Sequence, residues 1–161
     1  MRLFVYGSLR SGCGNHDMLA VPRRPAVTRA SLRRGHGWAL YEYAGGAYPV
    51  MIPTGGGAVV GELVDIEIES ADWVIIEGME RGAGYHLTPL KVDIRSALGD
   101  LETHEVFTFA WFDADDDWIG PLVPDGDWVA HRARQRAALG MTTEQQSRSA
   151  AEARAYRDAR L

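Results

Sequence analysis

A chain of 161 residues, 46% apolar and 24% charged, has room for one core-bearing globular domain and not for two. A formal net charge of −5 argues against a general nucleic-acid or anionic-membrane binder, because such partners need a positive field over the docking surface. The lone cysteine, Cys13, excludes an intramolecular disulfide and leaves too few ligands for a cysteine-based zinc knuckle, so a reducing, cytoplasmic setting is expected.

The apolar run Leu3 to Tyr6 ends at Gly7 and reads as a first buried strand. It is far too short for a signal-peptide core, and no later run approaches the ~20 residues of a membrane span. The strand feeds a small-residue loop, Gly7 to Gly14. Asn15 is placed to cap a short helix through about Ala20.

Four short strands are expected next, broken by turn glycines: Val27 to Arg33, Trp38 to Tyr43, Tyr48 to Ile52, and Ala58 to Ile66. Ser70 then caps a helix of about two turns that Gly78 or Gly82 would end. Strands return at Tyr85 to Ile94 and Glu105 to Phe112, Pro89 placing the former partly at a sheet edge. Asp113 to Asp117 reads as a solvated hairpin turn, since Trp118 stands where a calcium loop would need glycine.

The last stretch has a different character. Residues 129–161 hold seven arginines against three acids, and residues 1–128 hold 10 basic against 19 acidic residues. Thr142 or Thr143 with Gln145 or Gln146 forms a capping box before an Ala/Arg-rich helix whose alanine face would pack weakly.

Two places could carry chemistry. In Tyr6-Gly7-Ser8-Leu9 the glycine lets the chain bend so that successive N–H groups converge, and a helix start close behind adds positive partial charge. That suits a carboxylate or an oxyanion. It is not a phosphate loop, because no Gly-Lys-Ser/Thr follows, and Gly12-x-Gly14 lacks the third glycine of a dinucleotide fingerprint. The second place is Glu77, which follows the apolar Trp73-Val74-Ile75-Ile76; withdrawing a carboxylate from water makes it a better base. Glu80, one helical turn on, is the rival for that role, and a solvated outer-face glutamate is the bland alternative for either.

Other constellations fall away. There is no Gly-x-Ser-x-Gly elbow for a hydrolase nucleophile, and the five histidines are scattered, which makes a metal site improbable. Trp38, Trp111, Trp118 and Trp128 could stack bases, but the acidic main body favours packing roles.

Taken together, Leu3-Phe4-Val5-Tyr6-Gly7-Ser8-Leu9-Arg10 with Asn15-His16 resembles the opening signature of the gamma-glutamylcyclotransferase-like family, in particular its AIG2-like, gamma-glutamylamine-type branch. Tyr48-Pro49, Gly61-Glu62-Leu63, Glu77-Gly78, Tyr85, Ala110-Trp111 and Gly126-Asp127-Trp128 follow in the family's order. There are two departures from it: Trp73 and Val74 stand where Leu-Asp is frequent, and Leu87 where arginine is frequent.

The resemblance implies an α+β fold, a small mixed β-barrel with flanking helices, over residues 1–131, with residues 132–161 a basic helical extension. It implies a bacterial-type enzyme that cyclises the gamma-glutamyl group of a small molecule to 5-oxoproline and releases an amine or amino acid. No cofactor and no metal are implied, and no nucleic-acid or membrane partner. By position in the resemblance Glu77, not Glu80, is the general acid/base, and Tyr6, Gly7, Ser8, Leu9 and Tyr85 contact the substrate. Because one fold hosts many functions, a non-catalytic module binding a ligand or partner is the alternative, and a third reading places activity in the arginine-rich tail.

Overall fold

The computed structural model describes residues 1–19, 27–32, 36–95 and 100–140. The chain divides into two compact units, Met1–Trp128 and Val129–Leu161. In the first, five strands close into a barrel in the order β1, β5, β2, β6, β7. These are β1 (Arg2–Val5), β2 (Val27–Leu32), β5 (Val59–Asp65), β6 (His86–Arg95) and β7 (Leu101–Ala110). All neighbours are antiparallel except β1 and β7, which meet in parallel at Leu3 and Phe107 and so make the barrel mixed. A second sheet holds β3 (Ala39–Tyr43) between β4 (Tyr48–Ile52) and β8 (Ile119–Leu122).

The period-two alternation of a strand explains why β1 is apolar from Leu3 onward. Phe4 and Tyr6 point into one buried cluster with Leu63, Val92 and Val106, whereas Leu3 and Val5 point into another with Trp73, Ile76 and Phe109. Both faces of the strand are covered, one by barrel side chains and the other by α1 (Ala71–Gly82) with the 3₁₀ turn His16–Leu19. Such burial is worth about 1.5–3 kcal/mol for each large apolar side chain.

Gly61 of β5 permits the closest approach in the barrel. A Cβ there would lie 2.5 Å from both the Phe4 ring and the Val5 carbonyl oxygen, and the carbonyl belongs to the paired strand. Gly61→Ala is therefore expected to cost about 1–3 kcal/mol by overpacking, read as a lower urea midpoint at unchanged m-value. An unchanged midpoint would mean that β1 and β5 are not held at this spacing.

Several expectations need correcting. The short helix expected after the glycine loop is a 3₁₀ turn, His16–Leu19. α1 ends at Gly82, one of the two expected ends, but at twelve residues it is about three turns long rather than two, and it is capped at its start by the Ser70 side chain accepting from the Trp73 amide at 3.1 Å. Asp113 to Asp117 is no hairpin turn: it joins β7 of the barrel to β8 of the second sheet. Helix α2 (Trp128–Ala138) begins well before the expected capping box. That capping box, the helix expected after it, Ala20 and Arg33 lie outside the described residues. Pro89 pairs with Phe107 of β7, and among the described residues β2 meets β6 at Ser31 and Asp93. Among the described residues no helix is long and apolar enough to cross a membrane.

Candidate active site

The turn after β1 is fixed by its carbonyls. Those of Gly7, Ser8, Leu9 and Arg10 accept, in order, from the Arg10 amide at 3.1 Å, the Asn15 amide at 3.0 Å, the His16 Nδ1 at 3.0 Å and the Cys13 amide at 3.0 Å. Among the described residues the N–H groups of Gly7, Ser8 and Leu9 have no protein acceptor. Successive amides left without a partner in a turn make a binding place for an anionic oxygen. The Ser8 hydroxyl accepts from the Asn15 side-chain amide at 2.9 Å, which ties the turn to the 3₁₀ segment.

Proline and glycine bring the next element in. A Cβ on Gly7 would stand 2.9 Å from the Pro49 Cγ, so the turn lies directly against β4. The Pro49 carbonyl in turn accepts from the Tyr85 hydroxyl at 2.9 Å. Tyr6, at the end of β1, donates to the Phe109 carbonyl at 2.6 Å. Tyr-Gly-Ser-Leu, Tyr48-Pro49 and Tyr85, far apart in the chain, are thereby joined.

α1 carries both candidate carboxylates, Glu77 and Glu80, and its C-terminus fixes where each one lies. Gly84, at φ +93°, is the left-handed residue of a Schellman motif: the Gly84 amide donates to the Arg81 carbonyl and the Tyr85 amide to the Glu80 carbonyl, each at 3.0 Å. Glu80 and Tyr85 are thus fastened to each other through the backbone. At about 100° per residue, Glu80 falls between the buried Trp73 and Ile76 on the helix surface, and Glu77 falls outside that arc. Glu77 is instead held by Arg81, one turn on, at 2.8 Å, on a side where the arginine side chain is 55% exposed.

The electrostatics agree with this placement. Burial pushes the Tyr6 and Tyr85 phenols well above their usual value near 10, and the charge of Glu80 raises both further. The Met51 backbone opposes this at Tyr6, while Tyr6, Tyr43 and Tyr48 add to it at Tyr85. No such influence of Glu77 is found on either phenol. Tyr43 is pushed up to about 12, first by burial and then by its bond to Asp116 at 3.0 Å.

The raised phenols carry a stability consequence. Above pH ~10 the unfolded chain loses these protons while the folded one keeps them, so the unfolded state binds fewer protons and stability falls as pH rises. Their contribution is whole below pH ~10 and declines toward the folded-state values, by up to about 1.4 kcal/mol per pH unit for each phenol. Urea midpoints measured between pH 9 and 11 should fall, and Tyr6→Phe or Tyr85→Phe should flatten that slope. An equal slope in the variants would contradict the burial of these hydroxyls.

A buried charge cluster supports the turn from behind. Arg10, with a side chain 5% exposed, donates to Asp127 at 2.7 Å and lies 3.5 Å from the Glu62 carboxylate, itself 8% exposed. The Ser11 amide donates to the second Glu62 oxygen at 2.7 Å. Sequence reasoning named these residues only as motif positions. Their mutual contact, from three separate segments, had no signal in the spacing.

Of the expected site residues, the structure brings together Tyr6, Gly7, Ser8, Leu9 and Tyr85, and it adds Glu80, Asn15 and Pro49. Glu77 is set apart from them by its bond to Arg81. Of the three departing residues, Trp73 stacks on Phe109 at 5.9 Å, Val74 is exposed, and Leu87 packs against the cluster under α1. Among the described residues no group of three or more His, Cys, Asp or Glu could hold a metal ion.

Comparison with known proteins bears on the same region. Residues 3–130 match the family model described as gamma-glutamyl cyclotransferase, AIG2-like. Among solved structures, the chain is similar to the uncharacterized protein PH0828 of Pyrococcus horikoshii, with TM-score 0.58 and 22% identity over 85% of this chain and 97% of that one. It is similar to YkqA of Bacillus subtilis, with TM-score 0.59 and 21% identity over 84% of this chain but only 42% of that one. A mouse AIG2-like protein gives TM-score 0.54 and 19% identity over 73% of this chain and 80% of that one. No curated protein matches the chain in sequence. At these identities the structures speak to the fold alone, an α+β barrel shared across them.

Proposed function

Because the chain belongs to the gamma-glutamyl cyclotransferase, AIG2-like family, we propose that it cyclises the gamma-glutamyl group of a small molecule to 5-oxoproline and that Glu80 is the general acid/base. The observation that carries this reading is the juxtaposition of a carboxylate with a turn of open amides. The Glu80 carbonyl is bonded to the Tyr85 amide at 3.0 Å, the Tyr85 hydroxyl to the Pro49 carbonyl at 2.9 Å, and Gly7 packs directly on Pro49, with Ser8 and Leu9 following it.

The reaction needs little more than this arrangement. The substrate's α-amine is tethered to the γ-carbonyl it attacks, so no enzyme nucleophile is called for, and the gain comes from holding a ring-like pose. The open amides of Gly7, Ser8 and Leu9 hold the α-carboxylate of the glutamyl group. Glu80 takes a proton from the α-ammonium, the freed amine adds to the γ-carbonyl, and Glu80 hands that proton to the leaving nitrogen as the C–N bond breaks; the ring nitrogen then gives up its second proton, which the released amine takes. The products are 5-oxoproline and the protonated amine, with every atom and charge of the substrate accounted for.

Proton transfer sets the energetic demand. In water a glutamate carboxyl and an α-ammonium differ by about 3.5 pKa units, about 5 kcal/mol against transfer. Apolar surroundings act against that barrier by disfavouring the two charged partners relative to the neutral pair. Tyr6 and Tyr85 suit such a place: each is buried and spends its hydroxyl proton on a backbone carbonyl.

The reading is tested by incubating the protein with gamma-glutamyl amides that differ in the leaving group, such as amino acids, alkylamines and peptides, and measuring released amine. Release from at least one of them is expected. The absence of release across the series, with the folded protein confirmed by circular dichroism, would reject the enzyme in favour of a binding module on the same fold.

A further inference from the structure

We infer that His16 is a positioning residue, which sets the anion-binding turn through a single hydrogen bond from Nδ1 to the Leu9 carbonyl. The inference rests on the proposed function for its kinetic arm only. Four successive carbonyls, those of Gly7, Ser8, Leu9 and Arg10, are each taken by a donor within the segment. Backbone amides serve three of them, and among the described residues the Leu9 carbonyl alone is held by a side chain.

A peptide unit is planar, so holding a carbonyl fixes the rotation of the amide beyond it and, through the shared residue, restricts the one before it. The Leu9 carbonyl lies between the Leu9 amide, which is open, and the Arg10 amide, which closes the turn on Gly7 at 3.1 Å. Without His16 that peptide would be held on one side only, by the Arg10 amide, and the setting of the Leu9 amide beside those of Gly7 and Ser8 would loosen. A bond to a carbonyl requires Nδ1 to carry hydrogen, so the donor role is met by the Nδ1–H neutral form and by the cation alike. His16 is itself anchored by its amide to the Cys13 carbonyl at 3.1 Å. The histidine and the carbonyl it holds are seven residues apart, and they belong to one closed loop that starts at the end of β1.

Side-chain geometry supplies the test. The side-chain nitrogen of asparagine occupies nearly the place of His Nδ1, glutamine reaches instead toward Nε2, and leucine has no donor. With a gamma-glutamyl amide as substrate, His16→Leu and His16→Gln should lower kcat/KM by about 10–10²-fold, the scale of a misplaced binding group. The loss should fall mainly on KM, because the carboxylate contact is made in the ground state and the transition state alike. His16→Asn should return kcat/KM to within several-fold of wild type. The backbone amide resonances of Ser8, Leu9 and Arg10 in the ligand-free protein provide a readout independent of activity: they should coincide in wild type and His16→Asn and move in His16→Leu and His16→Gln. Equal kinetics and equal amide positions for asparagine, glutamine and leucine would overturn the inference. If wild type released no amine from any gamma-glutamyl amide, the functional reading would fall, and the amide resonances would still decide the role of His16.

Discussion

Glu80→Gln is expected to lower kcat for 5-oxoproline formation by about 10²–10⁴, the range of a positioned general acid/base, with KM within several-fold of wild type. The substitution is nearly isosteric and leaves intact the turn amides that hold the glutamyl carboxylate, so the loss belongs to the chemical step. Glu77→Gln is the matched control. It removes one charge from the same helix and breaks the bond to Arg81, an exposed i,i+4 pair of the kind worth about 0.3–0.5 kcal/mol, and its kinetics should remain within several-fold of wild type. The reverse pattern, Glu77→Gln dead and Glu80→Gln active, would return the role to the residue that the motif order favours. Full activity of both would refute carboxylate catalysis.

Arg10→Met is expected to be the most damaging single change to stability. The guanidinium stands between two carboxylates, and its loss would leave Glu62 buried with the Ser11 amide as its donor. Breaking a buried pair by deleting one partner costs about 3–5 kcal/mol, because the remaining charge is uncompensated. The urea midpoint should fall accordingly, and Arg10→Met combined with Glu62→Leu should recover part of the loss. A loss under about 1 kcal/mol for the single variant would show that Glu62 is solvated well enough to need no partner.

Much of the barrel is legible in the sequence, for local reasons. β4 coincides with the expected Tyr48 to Ile52, and β1 announces itself as an apolar run ended by Gly7. β8 is not legible: Ile119-Gly120-Pro121-Leu122 reads as a turn, and it becomes a strand because β3 offers its edge at Tyr41 and Tyr43. Barrel closure is also hidden, since the parallel meeting of β1 and β7 rests on Leu3 and Phe107, residues distant in sequence.

The site divides in the same way. Gly7, Ser8 and Leu9 follow from one turn, and their chemistry is local. Glu77 and Glu80 are separated in the sequence only by position in the family motif, whereas in the structure α1 runs to Gly82 and Gly84, in the left-handed conformation, ties the Glu80 backbone to that of Tyr85. A signal was present, because Gly84 directly before Tyr85 is a Schellman pattern and would have set Glu80 on the Trp73–Ile76 face. No comparable signal exists for Arg10, Glu62 and Asp127, whose contact depends on the tertiary fold.

The most direct test of the account is the fate of the γ-carbonyl in H₂¹⁸O, followed by mass spectrometry of the products from a gamma-glutamyl amide that the wild-type protein consumes. Intramolecular attack predicts unlabelled 5-oxoproline in equal amount to the released amine. Glutamate carrying one ¹⁸O atom would show that water, not the substrate's own amine, attacks, and would contradict cyclisation.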